Sequence, residues 1–206
     1  MISKIEALVT TPFVDALNLE RESPSVRERY GHEEFGQGCL LARRLLETGV
    51  NFVEVQHDGW DTHVNNFNCL KEFLMPEFDR AFSALISDLA DRGMLDETLV
   101  VWGGEFGRTP YAQNDKKKDA TKAGRDHHHT GFSMFLAGGG TKGGLMYGNT
   151  DEFGMNAVEN RMHVHDLHAT MLAMLGFDHE KFTFRQAGRD FRLTDVHGKV
   201  IHDLIA

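Results

Sequence analysis

The sequence predicts an α/β fold, a mostly parallel sheet with helices on both faces, formed as a single domain over residues 1–206. Three observations predict it. Helical and strand-like patterns alternate along the chain. The strand-like segments are continuous apolar runs, the pattern of strands covered on both faces. Polar residues able to do chemistry gather just after those runs, where open parallel sheets place their ligands.

The elements follow in order. Residues 1–30 are polar and weakly patterned, with Pro12 and Pro24, and read as turns and short helix. Over 33–47, Phe35, Cys39, Leu40, Ala42, Leu45 and Leu46 recur at helical spacing, and Gly49 stops the helix. Asn51-Phe52-Val53-Glu54-Val55 reads as a short strand, and 56–66 as a polar loop. Phe67, Leu70, Phe73, Leu74, Phe78, Phe82, Leu85, Ile86 and Leu89 then mark the longest amphipathic helix, ending at Gly93, with Pro76 predicting a kink or break inside it. Residues 98–102 read as a buried strand, 103–130 as a long loop, and 132–137 as a third strand closed by three glycines. A last helix spans 166–175 up to Gly176, and the tail, 181–204, reads as a hairpin or edge strands.

Charge and composition narrow the function. Twenty-two Lys and Arg against 31 Asp and Glu give −9, which argues against sequence-independent nucleic-acid binding through phosphate neutralisation. No apolar run reaches the ~18 residues that a membrane-spanning helix needs, and the first residues lack the basic-then-apolar pattern of a secretory signal. With neither pattern, the chain as given reads as cytoplasmic or of unknown location. Cys39 and Cys69 both fall in apolar periodic stretches and read as buried free thiols. Twelve histidines are many for 206 residues, and most are clustered.

Four clusters carry donor chemistry. In His57-Asp58-Gly59-Trp60-Asp61-Thr62-His63, an extended backbone aims Asp61 and His63 to one side, as a metal or substrate contact would require; alternatively Asp61 caps the next helix. In Gly103-Gly104-Glu105-Phe106-Gly107-Arg108, Glu105 offers a metal ligand and Arg108 an anion-binding fork, unless the two pair to shape a turn. In Gly124-Arg125-Asp126-His127-His128-His129, His127 is the favoured ligand, against a plain solvated loop. In His163-Val164-His165-Asp166-Leu167-His168, a helix start with Asp166 near the N-cap is favoured over a metal pair of His165 and His168. The 138–144 glycines lack phosphate-loop spacing, and there is no G-x-S-x-G elbow.

Taken together, several runs resemble the bacterial family called domain of unknown function 1501: Val26-Arg27-Glu28-Arg29-Tyr30-Gly31, Phe35-Gly36-Gln37, Leu41-Ala42-Arg43-Arg44-Leu45, Gly49-Val50-Asn51-Phe52-Val53, Gly59-Trp60-Asp61-Thr62-His63, Gly104-Glu105-Phe106-Gly107-Arg108-Thr109-Pro110 and Gly124-Arg125-Asp126-His127. That family in turn resembles a branch of the alkaline phosphatase–sulfatase superfamily, on the run from Thr98 to Gly107 and on the helix opening Asp166-Leu167-His168.

The resemblance implies an alkaline-phosphatase-like domain of which this chain is the C-terminal portion. It implies a divalent metal ion (Zn, Mn, Ca or Mg) held by Asp61, His63, Glu105 and His127, with Arg108 or Arg125 binding the anion. The implied activity is metal-dependent hydrolysis of phosphate or sulfate esters, small-molecule or glycan, and the full-length relatives look exported. Phe106 departs from the pattern, standing where the superfamily has a second metal ligand, His. The segment carrying the superfamily's nucleophile has no counterpart in residues 1–50. The alternative is therefore a non-catalytic scaffold of the same fold that binds a partner or an anionic glycan.

Overall fold

The structure, a computed structural model, describes residues 12–104, 106–113 and 122–206. They form two compact units, Met1–Arg92 with Gln113–Arg125, and Gly93–Ala112 with Asp126–Ala206.

The first unit is helical. Proline opens both α1 (Pro12–Leu17) and α2 (Pro24–Tyr30), where its fixed φ suits the helix and its missing N–H costs nothing. Ser23 caps α2 by accepting the Val26 N–H at 3.3 Å. Next come α3 (Glu34–Glu47), α4 (Asn66–Cys69), a π-helical turn (Leu70–Leu74) and α5 (Met75–Asp91). Pro76 lies in the first turn of α5, and the wider turn just before it keeps the chain helical where proline removes a ladder bond. The predicted kink is thus a local change of pitch.

The α3 and α5 helices make the principal packing pair of this unit. Phe35, Cys39, Leu40 and Ala42 on α3, and Phe78, Ala81, Leu85 and Leu89 on α5, are buried at helical spacing. Two opposite charges share that interface. Arg43 is 1% exposed, with its Nε 2.9 Å from Asp88 Oδ2, Nη2 2.9 Å from Glu22 Oε1 and Nη1 2.7 Å from Glu47 Oε2. Around Asp88, the Tyr30 hydroxyl donates to Oδ2 at 2.9 Å, while Arg92 Nε and Arg29 Nη2 lie 2.9 and 3.1 Å from Oδ1. Arg44 pairs with Glu22 and donates to the Ala16 carbonyl at 2.8 Å.

The second unit is built from short antiparallel pairs. β1 (Val100–Trp102) pairs with β4 (Phe135–Ala137), β2 (Gly107–Arg108) with β3 (His127–His128), β5 (Asn149–Thr150) with β6 (Ala157–Glu159), and β7 (Thr183–Gln186) with β8 (Arg189–Arg192). One helix, α6 (Val164–Met174), buries Ala169 and Thr170; the Thr170 hydroxyl donates to the Asp166 carbonyl at 2.7 Å and accepts the Ile201 N–H at 3.0 Å.

The expected mostly parallel sheet with helices on both faces is not formed. Every described ladder is antiparallel and two-stranded. Val100–Trp102 is only half-buried and has three rungs with one neighbour, so its apolar run does not mark a strand covered on both faces. Residues 51–55 form no strand. The helices over 33–47 and 166–175, the strands within 98–102 and 132–137, and the hairpin in the tail stand close to their expected places. Both thiols are free, Cys39 buried and Cys69 half-buried. Among the described residues no helix is long and apolar enough to cross a membrane.

Burial alone would raise the Asp88 and Glu22 carboxyls. Hydrogen bonds from Arg92 and Tyr30 to Asp88, and from Arg44 and Arg43 to Glu22, outweigh it together with the guanidinium charges, and both carboxyls lie below their ordinary values. A carboxyl lowered on folding stabilises the folded chain above the ordinary carboxylate range, roughly pH 4, and loses that contribution as the pH falls further. Asp88→Asn is expected to cost about 1–3 kcal/mol near neutral pH, because it removes one of the three carboxylates around the buried Arg43. It is also expected to flatten the acid limb of stability, both read from urea unfolding between pH 3 and 7. Burial, then the Glu77 charge, push the Cys39 thiol up to about 12. Iodoacetamide in the native state should therefore label Cys69 well before Cys39, as peptide mass spectrometry would show.

Candidate metal and anion site

The loop 56–66 is anchored at its start by aromatic packing. The His57 ring stacks on Phe35 at 4.3 Å between centroids and meets the Trp60 ring edge-on at 5.5 Å, while Trp60 meets Phe78 edge-on at 6.1 Å. His57 is therefore committed to the interface between α3 and α5, with Nε2 3.6 Å from Glu77 Oε2.

Beyond this anchor, alternation sets the side chains. Thr62 is buried and its hydroxyl donates to Asn66 Oδ1. Its neighbours Asp61 and His63 are more open, at 66% and 36% side-chain exposure. Their polar atoms meet, with His63 Nε2 2.9 Å from Asp61 Oδ1. The other ring nitrogen, Nδ1, lies 2.7 Å from Gln113 Oε1. With the amide oxygen presented to it, Nδ1 carries the proton and donates. Nε2 faces a carboxylate oxygen, a contact that either a second ring proton or a shared cation completes. Asp61 does not cap a helix; the residue before α4 is Asn65, in a left-handed conformation.

A backbone ladder holds this row in place. Asn65 N–H donates to the Lys122 carbonyl at 2.8 Å, Asn66 N–H to Ala123 at 3.2 Å, and Arg125 N–H to Thr62 at 3.2 Å. On the same segment, Gln113 N–H donates to the Gly124 carbonyl at 2.9 Å, which fixes the residue that orients His63. Gly124 is required here: a Cβ on it would overlap the His63 carbonyl. Arg125 lays its guanidinium over the Phe67 ring, 5.1 Å from the centroid.

The remaining expected residues belong to the second unit. Arg108 and His127 are register partners in the β2–β3 pair. His127 is exposed and its ring lies 4.6 Å from that of Phe106. His128 alternates inward, with Nε2 2.6 Å from the Met155 carbonyl and 3.1 Å from the Thr130 hydroxyl. Of the two, His127 is thus the more exposed. Glu105 lies outside the described residues. In the fourth cluster the helix start is what forms: His163 is the N-cap of α6 and Asp166 closes the capping box from the third position. Gln113 went unnoticed in the sequence, because nothing in its local context distinguishes it from any loop glutamine.

The donor set suits a divalent ion. One carboxylate oxygen and one imidazole nitrogen face each other, with the second ring nitrogen held by an outer acceptor, the pattern that orients a metal-binding histidine. Gly124→Ala should disrupt the ladder that presents this pair. Amide hydrogen exchange at Asn65, Asn66 and Arg125 is expected to accelerate at least tenfold; unchanged protection would show that the ladder does not depend on that glycine.

No curated protein and no solved structure matches the chain. A family model described as a protein of unknown function, DUF1501, matches residues 4–205, and the chain belongs to that family.

Proposed function

We propose that the chain is part of a metal-dependent hydrolase acting on phosphate or sulfate esters, with Asp61 and His63 taking a divalent cation. The observation that supports it is the row Asp61–His63–Gln113, in which a carboxylate and an oriented imidazole share a position for a cation. Asp61 supplies a negatively charged oxygen and His63 a neutral nitrogen. Gln113 holds the ring in one tautomer, and the buried Thr62 between the two ligands fixes their common direction. A bound divalent ion supplies Lewis-acid polarisation of an ester oxygen. Arg125, steadied on Phe67, offers a guanidinium for the anionic group.

Phe106 favours a second reading. A phenyl ring ligates nothing, and here it packs against the His127 ring. This suits a scaffold that binds an anionic glycan without turning it over. Calorimetric titration of the chelator-stripped chain with Zn²⁺ or Mn²⁺ tests the metal. About one equivalent is expected, lost in Asp61→Ala and His63→Ala and weakened about 10- to 100-fold in Gln113→Leu. Binding that is absent, or unchanged in all three variants, overturns the metal site. Turnover of 4-nitrophenyl phosphate or sulfate by the metal-loaded chain would establish the hydrolase and overturn the binder.

A further inference from the structure

A second concentration of polar groups lies wholly in the second unit. A cavity of about 390 Å³ opens beside the start of α6, lined by His163, Asp166, Glu180, Arg192, His197 and Lys199 among others. That volume suits a small molecule. Three imidazoles run side by side at its edge, His165 stacked on His163 at 4.8 Å and on His197 at 5.3 Å between centroids. Stacked rings hold their in-plane lone pairs parallel, so they do not converge on a metal ion.

The balance of donors and acceptors shows what the cavity takes. Asp166 is spent: Oδ2 accepts the His163 N–H and Oδ1 the Lys199 N–H, both at 2.8 Å. Glu180 is 69% exposed and lies 3.4 Å from Arg192 Nη1, so water and that guanidinium serve it. Donors remain. Arg192 commits Nε to the Asp195 carbonyl at 2.6 Å, which fixes the plane of its fork and leaves Nη2 available. The Lys199 ammonium enters no ion pair among the described residues. His163 accepts the His165 N–H on Nδ1, so in the neutral ring the proton sits on Nε2 as a donor. Arg192, Lys199 and His163 all line this one small cavity, and the Asp166 oxygens already accept backbone N–H groups, so a group with several terminal oxygens finds its donors there.

We propose that this cavity binds a small molecule through a phosphate or sulfate group, held by Lys199, Arg192 and His163. This site is separate from the Asp61–His63 pair and does not rest on the hydrolase reading. Chelator-treated, ¹⁵N-labelled full chain is titrated with inorganic phosphate, glucose 6-phosphate and glucose 6-sulfate, following amide shifts by NMR. Saturable shifts at the start of α6 and around Lys199 are expected with at least one probe. The three probes separate free anion from ester and phosphate from sulfate. Lys199→Met and Arg192→Gln are each expected to weaken binding at least tenfold, and Asp61→Ala to leave it unchanged. Lys199 is exposed, so its variant keeps the test decisive should Arg192→Gln disturb the fold. The proposal is overturned by the absence of saturable shifts with all three probes, by binding that survives Lys199→Met undiminished, or by binding lost in Asp61→Ala.

Discussion

The helical unit turns on a guanidinium that water cannot reach. Arg43 sits in the middle of α3, 1% exposed, facing Asp88 from α5. Taking two charges out of water costs several kcal/mol each, and only a dense set of partners offsets that. Glu22, Glu47, Tyr30, Arg29 and Arg92 provide it. Every helix from α1 to α5 except the short α4 reaches this network, directly or through Arg44. A shift of α3 along α5 by even one turn would strand both charges, so the network fixes the register of the pair as apolar packing alone does not.

That register carries through to the candidate site. His57 stacks on Phe35 from α3, and Trp60 meets Phe78 from α5, so the loop after α3 begins on the surface that the two helices make together. From there alternate side chains bury Thr62 and present Asp61 and His63, and the 122–125 segment closes over the backbone as a ladder. The site is thus positioned by packing at one end and by backbone hydrogen bonds at the other. Neither end depends on the Asp61–His63 contact itself, which leaves that contact able to accommodate a cation.

Much of this is legible in the sequence, for reasons that differ between elements. The α3 and α5 helices declare themselves because a 3.6-residue period sustained over many residues fits neither a strand nor a loop. Arg43 and Asp88 are also in view, since each falls in phase with the buried residues of its helix, Arg43 four after Cys39 and Asp88 three after Leu85. They pass as solvent-facing as long as charge is equated with exposure. The parallel sheet misleads for a different reason. A run of three to five apolar residues fixes neither the direction nor the number of its neighbours, and β1 finds one antiparallel partner only three rungs long. Asp61 and His63 are neighbours in the sequence and meet through tight backbone turns, whereas Gln113, fifty residues away, is brought to His63 only by folding.

Twelve histidines stand out in the composition, and the structure divides their labour in a way that composition cannot. His57 works as an aromatic ring, His163 as a helix cap and His179 as a buried partner of the Thr194 hydroxyl at 2.9 Å. His128 spends one nitrogen on both a carbonyl and a hydroxyl. What singles out His63 is not its type or its cluster but the chemistry at its two nitrogens: an oriented acceptor on one side and a carboxylate on the other. The ring thus meets acceptors on both sides, which a second ring proton or a cation satisfies. In a histidine-rich sequence it is therefore the partners of each ring nitrogen, and not the number of rings, that separate a candidate ligand from a structural histidine.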